Sequence, residues 1–406
     1  MTAALTLDPV HDPVLAPSAA RRPAPRAPRI ALAGCGTVGD AFVRLLHDEA
    51  PALAGSGLAP TVVRVLVRDA GKARPAVAGG ALARQRIVTD PDALLGDDVD
   101  TLVEATGDVA LARRLVTAAL VRGLHVITAN KALLAREGPA LAALAARYGA
   151  TLDCEAAVGG AVPVVRAVRT AAGGARLHEV RAVLNGTCAY ILDRLVAGAD
   201  YDAALAEAQR LGLAEADPSR DVEGLDVADK LRVLAWLAFG VDPRRVGCTV
   251  RGIARDAARL VEAARAHGEG TRLALVGELE PGDGVPVARV EPVLVPAGSP
   301  WAALRGAANR VELRGAATGT LVLEGPGAGG DPTASALLAD LVHPVVATAP
   351  TLRLVPRAST APREEAWLVR EVADGVVSWT RLTATRPAIA ATLAVEPTRW
   401  AVRVLA

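Results

Sequence analysis

The sequence is short of aromatic side chains, of methionine and above all of lysine. Phe, Trp and Tyr together make up 2 % of 406 residues, and Met occurs once. Of 45 basic side chains only three are lysines, Lys72, Lys131 and Lys230, so nearly every positive charge is an arginine. Net charge is also missing: 45 basic residues against 44 acidic ones leave +1, with no basic block. A nucleic-acid partner, which needs a concentrated positive face, is therefore not expected. The four cysteines, Cys35, Cys154, Cys188 and Cys248, lie far apart and form no C-x-x-C pair. Such spacing argues against a zinc site or a disulfide framework and for free thiols in a reducing cytoplasm. No apolar run approaches a membrane span, Leu231 to Val241 being about the longest and broken by Arg232. What is present is a hydrophobic fraction of 51 % with 22 % charged residues, enough for a large core spread over two or three domains.

Residues 1–28 are rich in proline (Pro9, Pro13, Pro17, Pro23, Pro25, Pro28), carry Asp8 and Asp12, and lack the apolar centre of a signal peptide. They read as a disordered leader. Order is expected from Arg29. Ile30-Ala31-Leu32-Ala33 runs into Gly34-Cys35-Gly36-Thr37-Val38-Gly39, after which Ala41, Phe42, Leu45 and Leu46 recur at helical spacing. Strand, glycine turn and helix give G-x-G-x-x-G its dinucleotide-binding sense. Gly34 permits the tight turn, Gly36 lets a pyrophosphate approach, and Gly39 lets the helix pack close to the strand. The free N–H groups of the helix N-terminus then favour the phosphate. Further strands are predicted at Thr61–Val67, Thr101–Ala105 and His125–Thr128, separated by Ala-rich helical segments such as Ala110–Arg122. This alternation predicts an α/β chain with a doubly wound Rossmann nucleotide-binding domain. Arg68, at the end of the second strand, suits a 2′-phosphate and favours NADP, while the neighbouring Asp69 leaves NAD open. Lys72 falls beside the same position.

From about residue 150 the pattern becomes α+β. Thr151–Glu155 and Glu179–Leu184 read as strands, Tyr201–Phe239 as helical with a break at Pro218, and Pro281–Gly284 as a turn between β segments. The loop Gly325–Gly330 is predicted to lead into a helix from Thr333 to Leu341. Lys131 directly follows a parallel strand on the ligand side of the sheet. Lys230 lies four residues after Asp226, so on a helix the two share a face. A surface ion pair is the ordinary fate of such a spacing. In a chain whose surface cations are arginines, lysines at these two places point instead to groups that can give up a proton. Glu215, Asp217, Asp221, Glu223, Asp226 and Asp229 concentrate carboxylates nearby. No His accompanies them and no calcium-loop pattern is present, so acceptors for a substrate ammonium group compete with a metal site. Asp217 reads as a helix N-cap with Pro218 following it.

At these residues the sequence resembles homoserine dehydrogenase, the enzyme interconverting aspartate 4-semialdehyde and homoserine. The likeness runs from about Arg29 to Val342. It rests on the glycine turn, Val126–Ala135, Glu155–Pro163, Leu184-Asn185-Gly186-Thr187, Glu215–Lys230 and Gly325–Gly329 with Pro332–Ala336. T-A-N-K ending at Lys131 and G-L-D-x-x-x-K ending at Lys230 are its most specific parts. The resemblance implies Lys230 as proton donor to the carbonyl oxygen and Lys131 as the second active-site lysine, with Asp226 beside them. It implies substrate contacts at Gly212, Glu215, Asp226, Asp221 and Thr187. Cofactor contacts carry over to Thr37, Val38, Arg68, Thr106, Lys131 and Gly329, and a monovalent cation such as sodium to Glu155, Val158, Gly160 and Val162. It further implies a homodimer. The expected divisions are 29–155 for nucleotide binding, 156–318 for catalysis and dimerisation, 319–345 for a return to the first domain, and 346–406 for an extension.

Two features depart from the family pattern. Cys188-Ala189 replaces the polar pair usual after N-G-T, which favours a relative acting on another amino-acid semialdehyde or keto acid as the alternative reading. Residues 346–406 lack the P-G-V-L-like turn of the family's regulatory domain and are expected to be a truncated version at most, with strands at Ala366–Val377 and Arg399–Leu405. A non-catalytic nucleotide-binding regulator is the other alternative, and intact Lys131, Asp226 and Lys230 argue against it.

Overall fold

A computed structural model describes residues 27–174, 177–342, 363–395 and 398–405. All but the last two residues of the expected leader, and residues 346–362 of the extension, lie outside the described residues. Strands and helices alternate first as β1 (Arg29–Ala33), α1 (Thr37–Asp48), α2 (Ala50–Gly55), β2 (Thr61–Leu66), α3 (Pro75–Ala78) and β3 (Ile87–Val88). Then follow β4 (Thr101–Glu104), α4 (Val109–Val121), β5 (His125–Thr128), α5 (Lys131–Tyr148) and β6 (Thr151–Asp153). The six strands are parallel in the order β3-β2-β1-β4-β5-β6. The order reverses between β1 and β4, which opens a crevice at their carboxyl ends. Both faces of β1 are buried, as a parallel sheet requires. Ile30 and Leu32 pack with Phe42 and Leu337, while Ala31 and Ala33 join Leu102, Leu115 and Leu120 on the opposite face.

The second unit runs through α6 (Val164–Gly174), β7 (Leu177–Val183), α7 (Gly186–Val196), α8 (Tyr201–Arg210), α9 (Ser219–Val222), α10 (Leu225–Phe239) and β8 (Cys248–Val250). It continues with α11 (Ala257–His267), β9 (Arg272–Glu280), β10 (Val287–Val295), β11 (Ala308–Gly315) and β12 (Gly319–Pro326). The chain then returns to the six-stranded sheet as α12 (Gly330–Val342), whose Ala334 and Leu337 pack with Phe42 of α1. β13 (Glu364–Ala373), β14 (Val376–Thr385), α13 (Arg386–Val395) and β15 (Trp400–Val404) follow. Nine strands form one sheet in the order β12-β11-β7-β9-β10-β15-β13-β14, with β8 also paired to β10. One face lies under α6, α7, α10 and α11 through Val168, Ile191, Leu231 and Leu260. The other carries alternating charges, among them Arg181, Glu278, Glu291, Glu365 and Arg403. Among the described residues no helix is long and apolar enough to cross a membrane.

Four local expectations need correction. Gly325 and Pro326 belong to β12, paired with Asn309 and Ala308, and the helix after them starts at Gly330 rather than Thr333. The helical stretch before Phe239 breaks a second time at Gly224, whose φ of +82° is left-handed and suits glycine. Helix α9 starts at Ser219 with Pro218 as its cap residue, though the Asp217 carboxylate accepts the Ser219 N–H at 3.1 Å. Ala366–Val377 is the greater part of a hairpin turning at Asp374-Gly375, not one strand. In the extension, β15 inserts between β10 and β13 of the large sheet.

Candidate active site

The glycine turn closes the crevice at one side. Gly34 has φ +91°, and a Cβ there would lie 2.7 Å from the Ala105 oxygen. A Cβ on Gly39 would fall 2.0 Å from the Gly34 oxygen, so α1 leaves the strand at the closest approach a chain allows. Gly36 is different: nothing lies within 4 Å of its would-be Cβ, and it and Thr37 are exposed at the start of α1. That open cradle beneath helical N–H groups fits a dinucleotide pyrophosphate. Val38 is half-buried behind it, and Gly330, next to Gly329, packs on the Thr37 oxygen. Arg68 is exposed and forms no hydrogen bond or ion pair among the described residues. The Asp69 carboxylate accepts the Gly71 N–H at 2.7 Å, and Arg74 holds this loop through the Asp69 and Lys72 carbonyls.

At the ends of β4 and β5 the backbone is tied by Glu104, which is fully buried. Its Oε1 accepts the Thr106 N–H at 2.8 Å and the Thr106 hydroxyl at 2.7 Å, and its Oε2 accepts the Thr128 hydroxyl at 2.6 Å. Thr128 Oγ1 in turn accepts the Asn130 N–H, and Asn130 Oδ1 caps α5 by accepting the Leu133 N–H. Lys131 is thereby the first residue of α5. A cation there opposes the helix dipole and needs an anion nearby.

Asp226 is that anion. In the first turn of α10, one carboxylate oxygen lies 3.0 Å from Lys131 Nζ and the other 2.7 Å from Lys230 Nζ. Lys230, in the second turn of α10, also donates to the Leu184 carbonyl at 2.5 Å. Asn185 Nδ2 donates to Asp226 at 3.0 Å and to Asp221 at 2.7 Å, while its Oδ1 caps α7. Burial alone would raise the Asp226 carboxyl, but Lys230 and Lys131 overcome it and hold the group well below the usual carboxylate range. The Asp226 charge raises Lys131 against the effect of burial. Burial raises Asp221, and the Asn185 amide opposes that shift. The result is two ammonium groups on one buried anion at the carboxyl ends of a parallel sheet.

The remaining predicted residues sit around this centre at different depths. Thr187 is buried and donates to the Leu213 carbonyl at 2.6 Å, tying α7 to the loop after α8. Gly212, with φ +73°, and Glu215 lie exposed on that loop. Cys188 is fully buried, and its thiol donates to the Asp221 carbonyl at 3.1 Å. It therefore faces main chain behind the site. Glu155 spends its carboxylate on the Val165 and Arg166 N–H groups at 2.9 and 3.0 Å, and burial pushes it up to about 7. Gly159 and Gly160 bend the following turn with φ +94° and +64°. The Glu155 and Val162 carbonyls each accept one N–H, from Val158 and Val164, and keep a second lone pair. Of the clustered carboxylates, Asp229 pairs with Arg220 and Arg232 and so does not join Asp226 and Asp221. Two positions went unassigned in the sequence. Asn185 could have been found from its N-cap place in N-G-T, whereas Glu104 sits in an ordinary strand and carries no local signal.

Comparison with known proteins agrees with this geometry. The profile described as "Homoserine dehydrogenase, NAD binding domain" matches residues 34–155, and that described as "Homoserine dehydrogenase" matches 163–342. The homoserine dehydrogenase of Corynebacterium glutamicum is 40 % identical over 319 residues, covering 77 % of this chain and 71 % of its own. That of Synechocystis is 37 % identical over 322 residues, covering 78 % and 72 %. The crystal structure of a homoserine dehydrogenase from Thiobacillus denitrificans superposes with a TM-score of 0.77 at 28 % identity over 93 % of this chain and 98 % of that one. A hyperthermophilic archaeal homoserine dehydrogenase in complex with NADPH gives 0.65 at 25 % identity over 78 % and 97 %. With both halves of the site lying inside the matched segments, the chain belongs to the homoserine dehydrogenase family.

Proposed function

We propose that this protein interconverts L-aspartate 4-semialdehyde and L-homoserine with a nicotinamide cofactor, using NADP in preference to NAD. The observation that carries the reading is the shared Asp226 carboxylate, which holds the Lys131 and Lys230 amines side by side at the mouth of the nucleotide crevice. The bound nicotinamide supplies the hydride. Lys230 donates a proton to the carbonyl oxygen as negative charge develops there, with Lys131 adding a second positive charge. Asp226 holds both amines in place, and Asp221 and Glu215 accept the substrate ammonium group, with Thr187 and Gly212 shaping its end of the pocket. Arg68, exposed and unpaired among the described residues, and the turned-in Asp69 carboxylate support NADP. Gly34, Gly36, Thr37, Val38, Gly39, Thr106 and Gly329 line the cofactor. We further propose a monovalent cation at the carbonyls of Glu155, Val158, Gly160 and Val162, and a homodimer built through residues 156–318. The thiol of Cys188 bonds to the Asp221 carbonyl, so the cysteine of that pair gives no support to a different substrate.

Oxidation of NADPH with aspartate 4-semialdehyde tests this directly. Wild type is expected to turn over, and its failure would overturn the substrate. Lys230→Ala is expected to lose about two to three orders of magnitude in kcat; full turnover would remove the role given to Lys230. Arg68→Ala should raise KM for NADPH about tenfold and leave that for NADH nearly unchanged.

A further inference from the structure

Glu104 lies between the two halves of the site without facing the reaction. It is fully buried at the carboxyl end of β4, the strand beside the point where the sheet order reverses. Its three accepted hydrogen bonds run in two directions. Two go to Thr106, at 2.8 and 2.7 Å, and fix the segment Ala105-Thr106 against the glycine turn. That contact is tight: a Cβ on Gly34 would lie 2.7 Å from the Ala105 oxygen and 3.0 Å from the Thr106 Cα. The third goes to Thr128 on the neighbouring strand at 2.6 Å, and Thr128 accepts the Asn130 N–H at 3.0 Å. Asn130 caps α5 one residue before Lys131.

We infer that Glu104 is a positioning residue that couples the cofactor crevice to Lys131. One side chain thus sets both the height of the glycine turn and the start of the helix that aims Lys131 at Asp226. Disturbance on either side is felt on the other because both hang from the same two oxygens. An apolar residue in β4 would satisfy the strand and bury as well, yet it would leave the two hydroxyls and the Thr106 N–H to find partners separately. The inference rests on the proposed reaction for its kinetic readout, but NADPH binding alone reports its cofactor side.

Three isosteric or nearly isosteric substitutions test it. Thr128→Val should lower kcat about tenfold with KM for NADPH within about twofold of wild type, and Thr106→Val should raise KM for NADPH about tenfold. Glu104→Gln cannot accept all three bonds, since its amide presents one acceptor oxygen. It should change both parameters while circular dichroism and Tm stay near wild type. Adding Thr128→Val to Glu104→Gln should then have little further effect on kcat. A folded Glu104→Gln protein with both parameters within about twofold of wild type would overturn the inference. If Glu104→Gln fails to fold, the double substitution Thr106→Val/Thr128→Val decides: coupling between the two supports the inference, and strict additivity in both NADPH affinity and kcat overturns it. An inactive wild type that binds NADPH would instead count against the substrate, and NADPH affinity across the same variants would still test Glu104.

Discussion

Asp226 holds two lysines while sitting 5 % exposed in the first turn of a buried helix. A lone carboxylate so placed would take up a proton; here two cations keep it ionised. Because its native titration lies below the unfolded value of about 3.9, the pairing stabilises the fold above that pH and is lost only as pH falls toward the depressed native value. Asp226→Asn should therefore flatten the acid side of the pH–stability curve, read by urea unfolding between about pH 5 and pH 2. The same substitution removes the main cause raising Lys131, so any alkaline limb of the rate profile that reports Lys131 should move to lower pH. At this scale the sequence was informative for a compositional reason. With arginine the default cation, Lys131 and Lys230 stood out, and four-residue spacing tied Lys230 to Asp226. That Lys131 reaches the same carboxylate was not legible, because the contact joins α5 to α10 across more than ninety intervening residues.

Among the elements, the turn between β1 and α1 shows why three glycines of one motif are not equivalent. Gly39→Ala drives a Cβ to 2.0 Å from a backbone oxygen and should destabilise the fold by about 3 kcal/mol or more, measured as a drop in the urea midpoint. Gly36→Ala meets no protein atom and should leave Tm near wild type. It fills the space offered to the pyrophosphate instead, so calorimetric titration should show weakened NADPH binding. A Gly36→Ala protein that binds NADPH normally would contradict the crevice assigned here. The alternation of strand and helix made this half of the chain readable, since β1, β4 and β5 are short, largely apolar runs buried on both faces. The second half hid its boundaries where backbone pairing overrode local propensity. Gly325-Pro326 looks like a loop in isolation and is strand because β11 supplies its partners.

Across the whole molecule, the charged face of the large sheet binds the last strand to the rest. Arg403 of β15 is 3 % exposed and bridges Glu278 of β9, Glu291 of β10 and Glu365 of β13 at 3.0, 2.9 and 3.1 Å. Arg386 of α13 adds bonds to Glu291 and Glu365 at 2.8 and 2.9 Å. Arg403→Met leaves three neighbouring carboxylates short of a counter-charge and should cost about 3–5 kcal/mol, seen as a lower urea midpoint. Unchanged stability would mean the arginine fills space rather than neutralising charge. None of this was visible along the chain. The sequence shows Arg and Glu at alternate strand positions, which reads equally well as a solvated face, and only the sheet order brings them together.

The place of β15 has a consequence for the order in which the molecule is made. β10 pairs with β8 at Ala288–Val290 and with β15 at Val293–Leu294, on the side away from β9. While the chain emerges from the ribosome, β10 exists long before β15 does, and the second half of that edge stays open. So does the carboxylate of Glu291, whose arginine partners Arg386 and Arg403 have yet to be translated, whereas Glu278 already has Arg181 of β7. The β13–β14 hairpin, though made earlier, has no seat in the sheet until β15 slides between. The nascent protein thus carries an unfinished edge guarded by repelling negative charge, an arrangement that discourages pairing with a neighbour until its own strand arrives.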